Sequence, residues 1–193
     1  MARTPSTMLP LGTPAPDFQL TNAADGNTVT LADFKGKRGL LVMFICNHCP
    51  FVLHVLAELT FLTREYLACG VGIVAINSND LGTHPQDGPE NMKQLVSDLG
   101  WEFPFLFDET QSVAKAYKAA CTPDFYLFDE RHELVYRGQL DDSRPQTDIP
   151  VTGADLRAAI DGLLTGDPMP EEQKPSLGCN IKWREGNAPE YYG

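Results

Sequence analysis

Gly39-Leu-Leu-Val-Met-Phe-Ile-Cys-Asn-His-Cys-Pro-Phe51 is the stretch that decides the reading of this chain. Gly39 to Ile45 is apolar without interruption and of strand length, which predicts a central strand buried on both faces. From Pro50 to Ala68 the residues Val52, Val55, Leu56, Leu59, Leu62 and Tyr66 recur at spacings of three and four, the pattern of an amphipathic helix. Gly70 is its natural stop. Val71 to Ile76 reads as a second buried strand, so the unit is strand, helix, strand, with a right-handed crossover and parallel strands. The pair Cys46 and Cys49 therefore stands where a strand hands over to a helix. There the unsatisfied N–H groups and the positive end of the helix dipole favour thiolate over thiol. His48, immediately before the second cysteine, adds a protonatable ring that can also stabilise the thiolate of Cys46. This is the signature of reversible thiol-disulfide exchange. Zinc is the bland alternative, but it needs four ligands and no second pair follows at ligand spacing. A metal-binding module would need a histidine from a later loop, and His132 falls in a predicted strand turn. No metal and no cofactor is expected.

Working outward, the whole chain has 193 residues, with 42% hydrophobic and 21% charged residues, ordinary values for a globular protein. It is read as one domain over residues 1–193. The formal charge of −11 repels a phosphate backbone, so nucleic acid is not an expected partner. The longest apolar run is far short of a membrane helix, and the first residues carry no apolar signal-peptide core, so no membrane association and a cytoplasmic location are expected. Five cysteines, an odd and scattered set, do not make a disulfide-stapled secreted domain. In a reducing compartment a close pair is catalytic or metal-binding rather than structural. Cys69, at the end of the first helix, reads as an inert small hydrophobe.

The first 16 residues form an extended arm rich in Pro and Thr. Phe18–Leu20 and Val29–Leu31 flank a turn and predict a hairpin. Residues 78 to 90 are a polar loop long enough for a rim or lid role, read more simply as solvated surface. Helices are predicted over 89–99 and 110–119, bracketing a strand at 103–107. An antiparallel hairpin follows at 125–128 and 134–138, then a final helix at 154–164. Residues 167–193 form an extension whose string Leu177-Gly-Cys-Asn-Ile-Lys-Trp183 is too apolar for a free tail and should pack against the domain. The fold class is α/β, a central mixed sheet flanked by helices.

Cys121-Thr-Pro-Asp124, placed just before a core strand and downstream of a C-x-x-C, resembles the cis-proline loop of the thioredoxin fold. The opening Gly12-Thr-Pro-Ala-Pro-Asp-Phe-Gln-Leu20 and the stretch Asp25 to Lys37 resemble the N-terminal hairpin of the redoxin, or alkyl hydroperoxide reductase and thiol-specific antioxidant, superfamily. Cys46-Asn-His-Cys-Pro-Phe51 and Gly178-Cys-Asn-Ile-Lys-Trp183 are similar to a peroxiredoxin-like branch of it, and the resemblance spans about residues 10 to 185. It implies a thioredoxin-like fold and a thiol-disulfide oxidoreductase with Cys46, Cys49 and His48 catalytic and Thr122 and Pro123 facing the substrate. The partners implied are protein or small-molecule disulfides and a reductant such as a thioredoxin or a low-molecular-weight thiol. An antioxidant peroxidase acting through Cys49 is the alternative. Peroxiredoxins carry a Thr or Ser three residues before the reactive cysteine, and here Cys46 occupies that place. They also carry an Arg near the later strand, where this chain has Cys-Thr-Pro-Asp, so fast peroxide chemistry lacks its usual helpers.

Two arrangements of the pair stay open. With Pro50 at the first helical position, Cys49 is the cap and the more activated thiolate; with a start one turn earlier, Cys46 is. Cys46 is the expected attacker, because it leaves the strand first and should be more exposed. Cys121 and Cys179 are candidate accessory thiols, Cys121 more simply a packing residue. The acid that assists proton transfer in thioredoxins has no recognisable counterpart. Asp80, His84, Trp101 and Asp141 are candidate rim residues, each read more simply as ordinary surface.

Overall fold

The computed structural model describes residues 3–170 and 172–192; positions 1 and 2 of the arm and 171 and 193 of the extension lie outside the described residues. Ten strands and four helices follow one another: β1 Thr4–Pro5, β2 Gln19–Asn22, β3 Thr28–Thr30, β4 Leu40–Phe44, α1 Pro50–Ala68, β5 Gly72–Asn77, α2 Pro89–Leu99, β6 Phe105–Phe107, α3 Ser112–Ala116, β7 Cys121–Thr122, β8 Asp124–Phe128, β9 Leu134–Gly138, α4 Ala154–Thr165 and β10 Leu177–Asn180. The main sheet has the order β3-β2-β6-β5-β4-β8-β9. β4 pairs in parallel with β5 and antiparallel with β8, so the sheet is mixed, and the architecture is the thioredoxin-like one.

β4 explains why the run from Gly39 carries so little polarity. Leu41 and Met43 project into a core with α1, α2 and α4, whereas Leu40, Val42 and Phe44 project into a second core with Phe34, Val113 and Tyr117. Both faces of a central strand are covered, so the period-two alternation of a half-exposed strand has no cause to appear. α1 runs as its spacing predicts, with Val52, Val55, Leu59 and Leu62 buried.

The arm and the extension are more ordered than their composition suggests. β1, inside the predicted extended arm, pairs antiparallel with β10, and β10 pairs antiparallel with β7. These three strands form a separate small sheet beside the cis Thr122–Pro123 bond. Gly178 sits so close to β7 that an added Cβ would run into the carbonyl oxygen of Thr122. Gly178→Ala should therefore push β10 off the loop at a cost of about 2 to 3 kcal/mol. Thermal melting would show this as a Tm lower by about 5 to 10 °C.

The helix predicted over 110–119 is trimmed to α3. Gln111 takes a left-handed conformation with φ of 63° and Lys118 another with φ of 51°, so the helical dihedrals cannot extend to either side. Among the described residues no helix is long and apolar enough to cross a membrane.

Candidate active site

α1 begins with Pro50 at its first turn and Cys49 as N-cap, and Leu53 N–H donates to the Cys49 carbonyl at 2.9 Å. This settles the first of the two open arrangements: the second cysteine, not the first, stands at the helix end. Proline costs nothing there, since the N–H it lacks is one of the groups a helix leaves unpaired anyway. The expected difference in exposure is absent. Cys46 is 1% and Cys49 0% exposed, so the reason for preferring Cys46 as attacker does not hold.

The loop before β8 faces the pair. The Thr122 hydroxyl lies 3.6 Å from Cys46 Sγ, and the Cys49 thiol donates to the Thr122 carbonyl at 3.1 Å. Cys179 approaches from the third side: its register partner across β10 and β7 is Thr122, and its thiol and that of Cys49 hydrogen-bond to each other. Cys49 is thus the middle sulfur of three. Hydrogen bonds from Cys179 first and from Cys46 second hold its pKa well below the ordinary thiol range, against the opposing effect of burial. The reciprocal bond with Cys49, then burial and the negative charge of Asp87, push Cys46 well above that range. Cys179 is raised for the same first reason, its bond to Cys49, with burial second. The neighbouring thiols and the helix end thus favour ionisation of Cys49 over that of Cys46 or Cys179, and while protonated its thiol donates to the Thr122 carbonyl.

Asp87 is a buried carboxylate beside the pair that the sequence does not reveal. It is fully buried at the end of a short 3-10 turn inside the loop read as solvated surface, which corrects that reading. Its carboxylate accepts from Asn47 N–H at 3.0 Å, from His48 Nδ1 at 2.6 Å and from Asn79 Nδ2 at 2.8 Å. Its own carbonyl accepts from Asn77 Nδ2 at 2.7 Å, which pins the turn to the end of β5. The same Nδ1 also lies 3.8 Å from Cys46 Sγ, so sulfur and carboxylate gather around one ring nitrogen, within 4.8 Å of each other. Stacked on His48, the His84 ring has its centroid 4.7 Å away, and burial followed by the charge of His48 lowers its pKa.

The donor atoms of Cys46, His48 and Asp87 all lie within 4.8 Å of one another and could in principle hold a metal ion. The Asp87 oxygens already accept three hydrogen bonds, however, and His48 Nδ1 points its proton at one of them. Binding a cation there would mean breaking that network.

The other named residues fall as follows. Cys121 is fully buried with its sulfur toward the Pro123 carbonyl at 3.6 Å, and burial pushes its thiol up; it packs rather than faces the pair. Asp124 begins the side of β8 that serves the second core, where burial raises its pKa to about 7. Cys69 caps the far end of α1 and is exposed, so it is not a packed hydrophobe. Trp101 is buried with its indole N–H donating to Thr60 and is not a rim residue, whereas Asp141, its oxygens taken up by Ser143, Thr152 and Gly153, lines the groove beside Pro123. Asp80 anchors a turn of the 78–90 loop. A narrow groove lined by Phe51, His54, Pro123, Leu140, Arg144 and Leu177 runs along the cis-proline side. His54, held by Ser143 at 3.2 Å, is a further groove residue that helix periodicity alone does not single out.

Comparison with known proteins adds four findings. A family model described as Redoxin matches residues 10–156. A crystal structure of an uncharacterized conserved protein from Geobacillus kaustophilus superposes with a TM-score of 0.93 at 60% identity, covering 95% of this chain and 97% of that one. Among curated proteins, the thiol-disulfide oxidoreductase ResA of Halalkalibacterium halodurans is 29% identical over 112 residues, covering 58% of this chain and 58% of that relative's length. A protein provisionally named a peroxiredoxin in Mycobacterium tuberculosis is 28% identical over 116 residues, covering 60% of this chain and 68% of its own length.

Proposed function

This chain belongs to the Redoxin family, and on that premise we propose that it is a thiol-disulfide oxidoreductase in which Cys49 is the attacking thiolate and Cys46 the resolving thiol. The carrying observation is the placement of Cys49 at the cap of α1, hydrogen-bonded by the thiols of Cys46 and Cys179. Thiolate Cys49 attacks one sulfur of a substrate disulfide, and the other leaves as a thiolate that takes up a proton. The Cys46 thiol then gives up its proton, with the Asp87 carboxylate within 4.8 Å as the base, and attacks Cys49. The second substrate thiol departs and a Cys46–Cys49 disulfide remains. A thiol reductant, whether a thioredoxin or a low-molecular-weight thiol, returns the pair to its starting state. The groove beside Pro123, with its apolar floor of Phe51, Leu140 and Leu177, suits an extended peptide or a small disulfide laid against the loop. Residues 1–193 act in this as one domain, in a reducing compartment such as the cytoplasm.

The peroxidase reading has one observation in its favour, the position of Cys49 at the helix cap, and one against it. Among the described residues no arginine is bonded to either sulfur. The hydrogen-bonded arginine that would stabilise charge developing on peroxide oxygen thus does not stand at either sulfur among the described residues. The two readings separate in one experiment on the purified protein. Exchange predicts that mild oxidation removes two hydrogens from the peptide carrying residues 46–49, and that the protein accelerates dithiothreitol reduction of insulin. It also predicts that hydrogen peroxide is consumed no faster than by free cysteine. Rapid peroxide consumption with no acceleration of insulin reduction would replace the proposal with the peroxidase.

A further inference from the structure

Cys179 plays no part in the two-cysteine cycle just described, yet its thiol hydrogen-bonds to that of Cys49, on which the cycle turns. It lies on β10, 4% exposed, in register opposite Thr122, while Cys49 reaches the carbonyl of the same Thr122 at 3.1 Å. The strand cannot relax away from this position without losing the close approach of Gly178 to Thr122 or the pairing with β1. On the far side, Lys182 is fixed by its amide to Asn79 and by its ammonium to Asn180, while its carbonyl accepts from Asp80 N–H. Cys179 is therefore held beside Cys49 from both ends of its segment, much as Cys46 is held by β4 and the helix start. A sulfur presented this way is a nucleophile in waiting rather than a packing residue such as Cys121, whose sulfur points to a carbonyl on another side.

We propose that Cys179 is a second exchange partner of Cys49, so that Cys49 alternates between a disulfide with Cys46 and a disulfide with Cys179. The step needs no external oxidant. Starting from the Cys46–Cys49 disulfide, the Cys179 thiolate attacks Cys49 Sγ, the Cys49–Cys179 bond forms, the Cys46–Cys49 bond breaks, and Cys46 leaves as a thiolate that takes up the proton Cys179 has given away. The oxidation state of the protein is unchanged, and Cys46 is returned as a thiol beside His48 while the oxidising equivalent is stored on β10. By the same chemistry, Cys179 can release a substrate held on Cys49 as a mixed disulfide: the Cys49–Cys179 bond forms as the bond to substrate breaks, and the departing thiolate is protonated. This relay rests on the exchange reading above.

The test uses full-length protein, oxidised glutathione as the probe, and peptide mapping by mass spectrometry. In Cys46→Ser a glutathione adduct on Cys49 is expected to be lost as a Cys49–Cys179 link appears, and in Cys46→Ser/Cys179→Ser the adduct is expected to persist. Oxidised wild type should contain both the 46–49 and the 49–179 links. A Cys46–Cys49 link in wild type with no 49–179 link in any sample overturns the relay and leaves the exchange reading standing. No link among the three cysteines overturns both. A Cys49–Cys121 link in place of 49–179 overturns the relay alone. The wild-type map decides even if a variant folds poorly, and circular dichroism identifies that case.

Discussion

Cys49→Ser is expected to lose insulin-reducing activity by about three orders of magnitude while keeping its fold. The loss follows from ionisation. A hydroxyl in the place of Cys49 stays protonated at any physiological pH, and neither the helix end nor the neighbouring thiols can bring it within reach of a charge that a thiol acquires readily. The fold survives because the buried hydroxyl inherits a partner: the Thr122 carbonyl, 3.1 Å from the sulfur, can accept from serine as it does from cysteine. The measurement pairs the turbidity assay with a thermal melt. A variant with native melting and undiminished turnover would remove Cys49 from the chemistry and return the role of attacker to Cys46.

Asp87→Asn should slow the release of substrate from the mixed disulfide about tenfold at neutral pH and change the shape of its pH profile. Two effects of opposite sign are involved. Loss of the carboxylate removes the base within 4.8 Å of Cys46, and general-base assistance is worth roughly 10²- to 10⁴-fold. It also removes a negative charge that pushes the Cys46 thiol up, which makes that thiol ionise more readily. Each pKa unit regained raises the thiolate fraction at most tenfold, and part of that is surrendered in nucleophilicity, so the first effect wins at neutral pH. As pH rises and Cys46 ionises without help, the variant should draw level, with its rise beginning at lower pH than in wild type. Asparagine also places a donor opposite His48 Nδ1 and Asn79 Nδ2, a stability cost of about 1 to 3 kcal/mol. Stability alone would not move a pH profile. Stopped-flow release of a thiol dye from the preformed mixed disulfide separates the two, and profiles that superimpose would take Asp87 out of the proton path.

The parts of this molecule that local pattern controls were legible in the sequence. β4, α1 and β5 follow from an apolar run, a three-four spacing and a glycine stop, and the β8–β9 hairpin from two short apolar segments around a turn. The cis Thr122–Pro123 bond lies where the family resemblance implied. What remained hidden depends on contacts between distant segments. Asp87 sits in a stretch whose glycines, prolines and polar side chains look like solvated loop. Its burial arises from Asn77 and Asn79 on one side and Asn47 and His48 on the other, none of which announces a partner in the sequence. The apolar string around Cys179 signalled packing, but not that β10 would lie against β7 and bring a third sulfur to the pair. Cys49 rather than Cys46 as the helix cap turned on a shift of one turn, below the resolution of a hydrophobic pattern.

The threading of β10 between the first residues and the loop at 122–123 also sets an order of events during synthesis. Ribosomes release a chain from its amino end, so the strand-helix unit carrying Cys46 and Cys49 emerges long before residues 177–180 do. Until those residues arrive, β1 has no partner, the cis-proline loop lacks its flanking strand, and Cys49 lacks one of the donors that steady its charge. A nascent polypeptide that has not yet reached residues 177–180 thus carries the cysteine pair without the strand that flanks it.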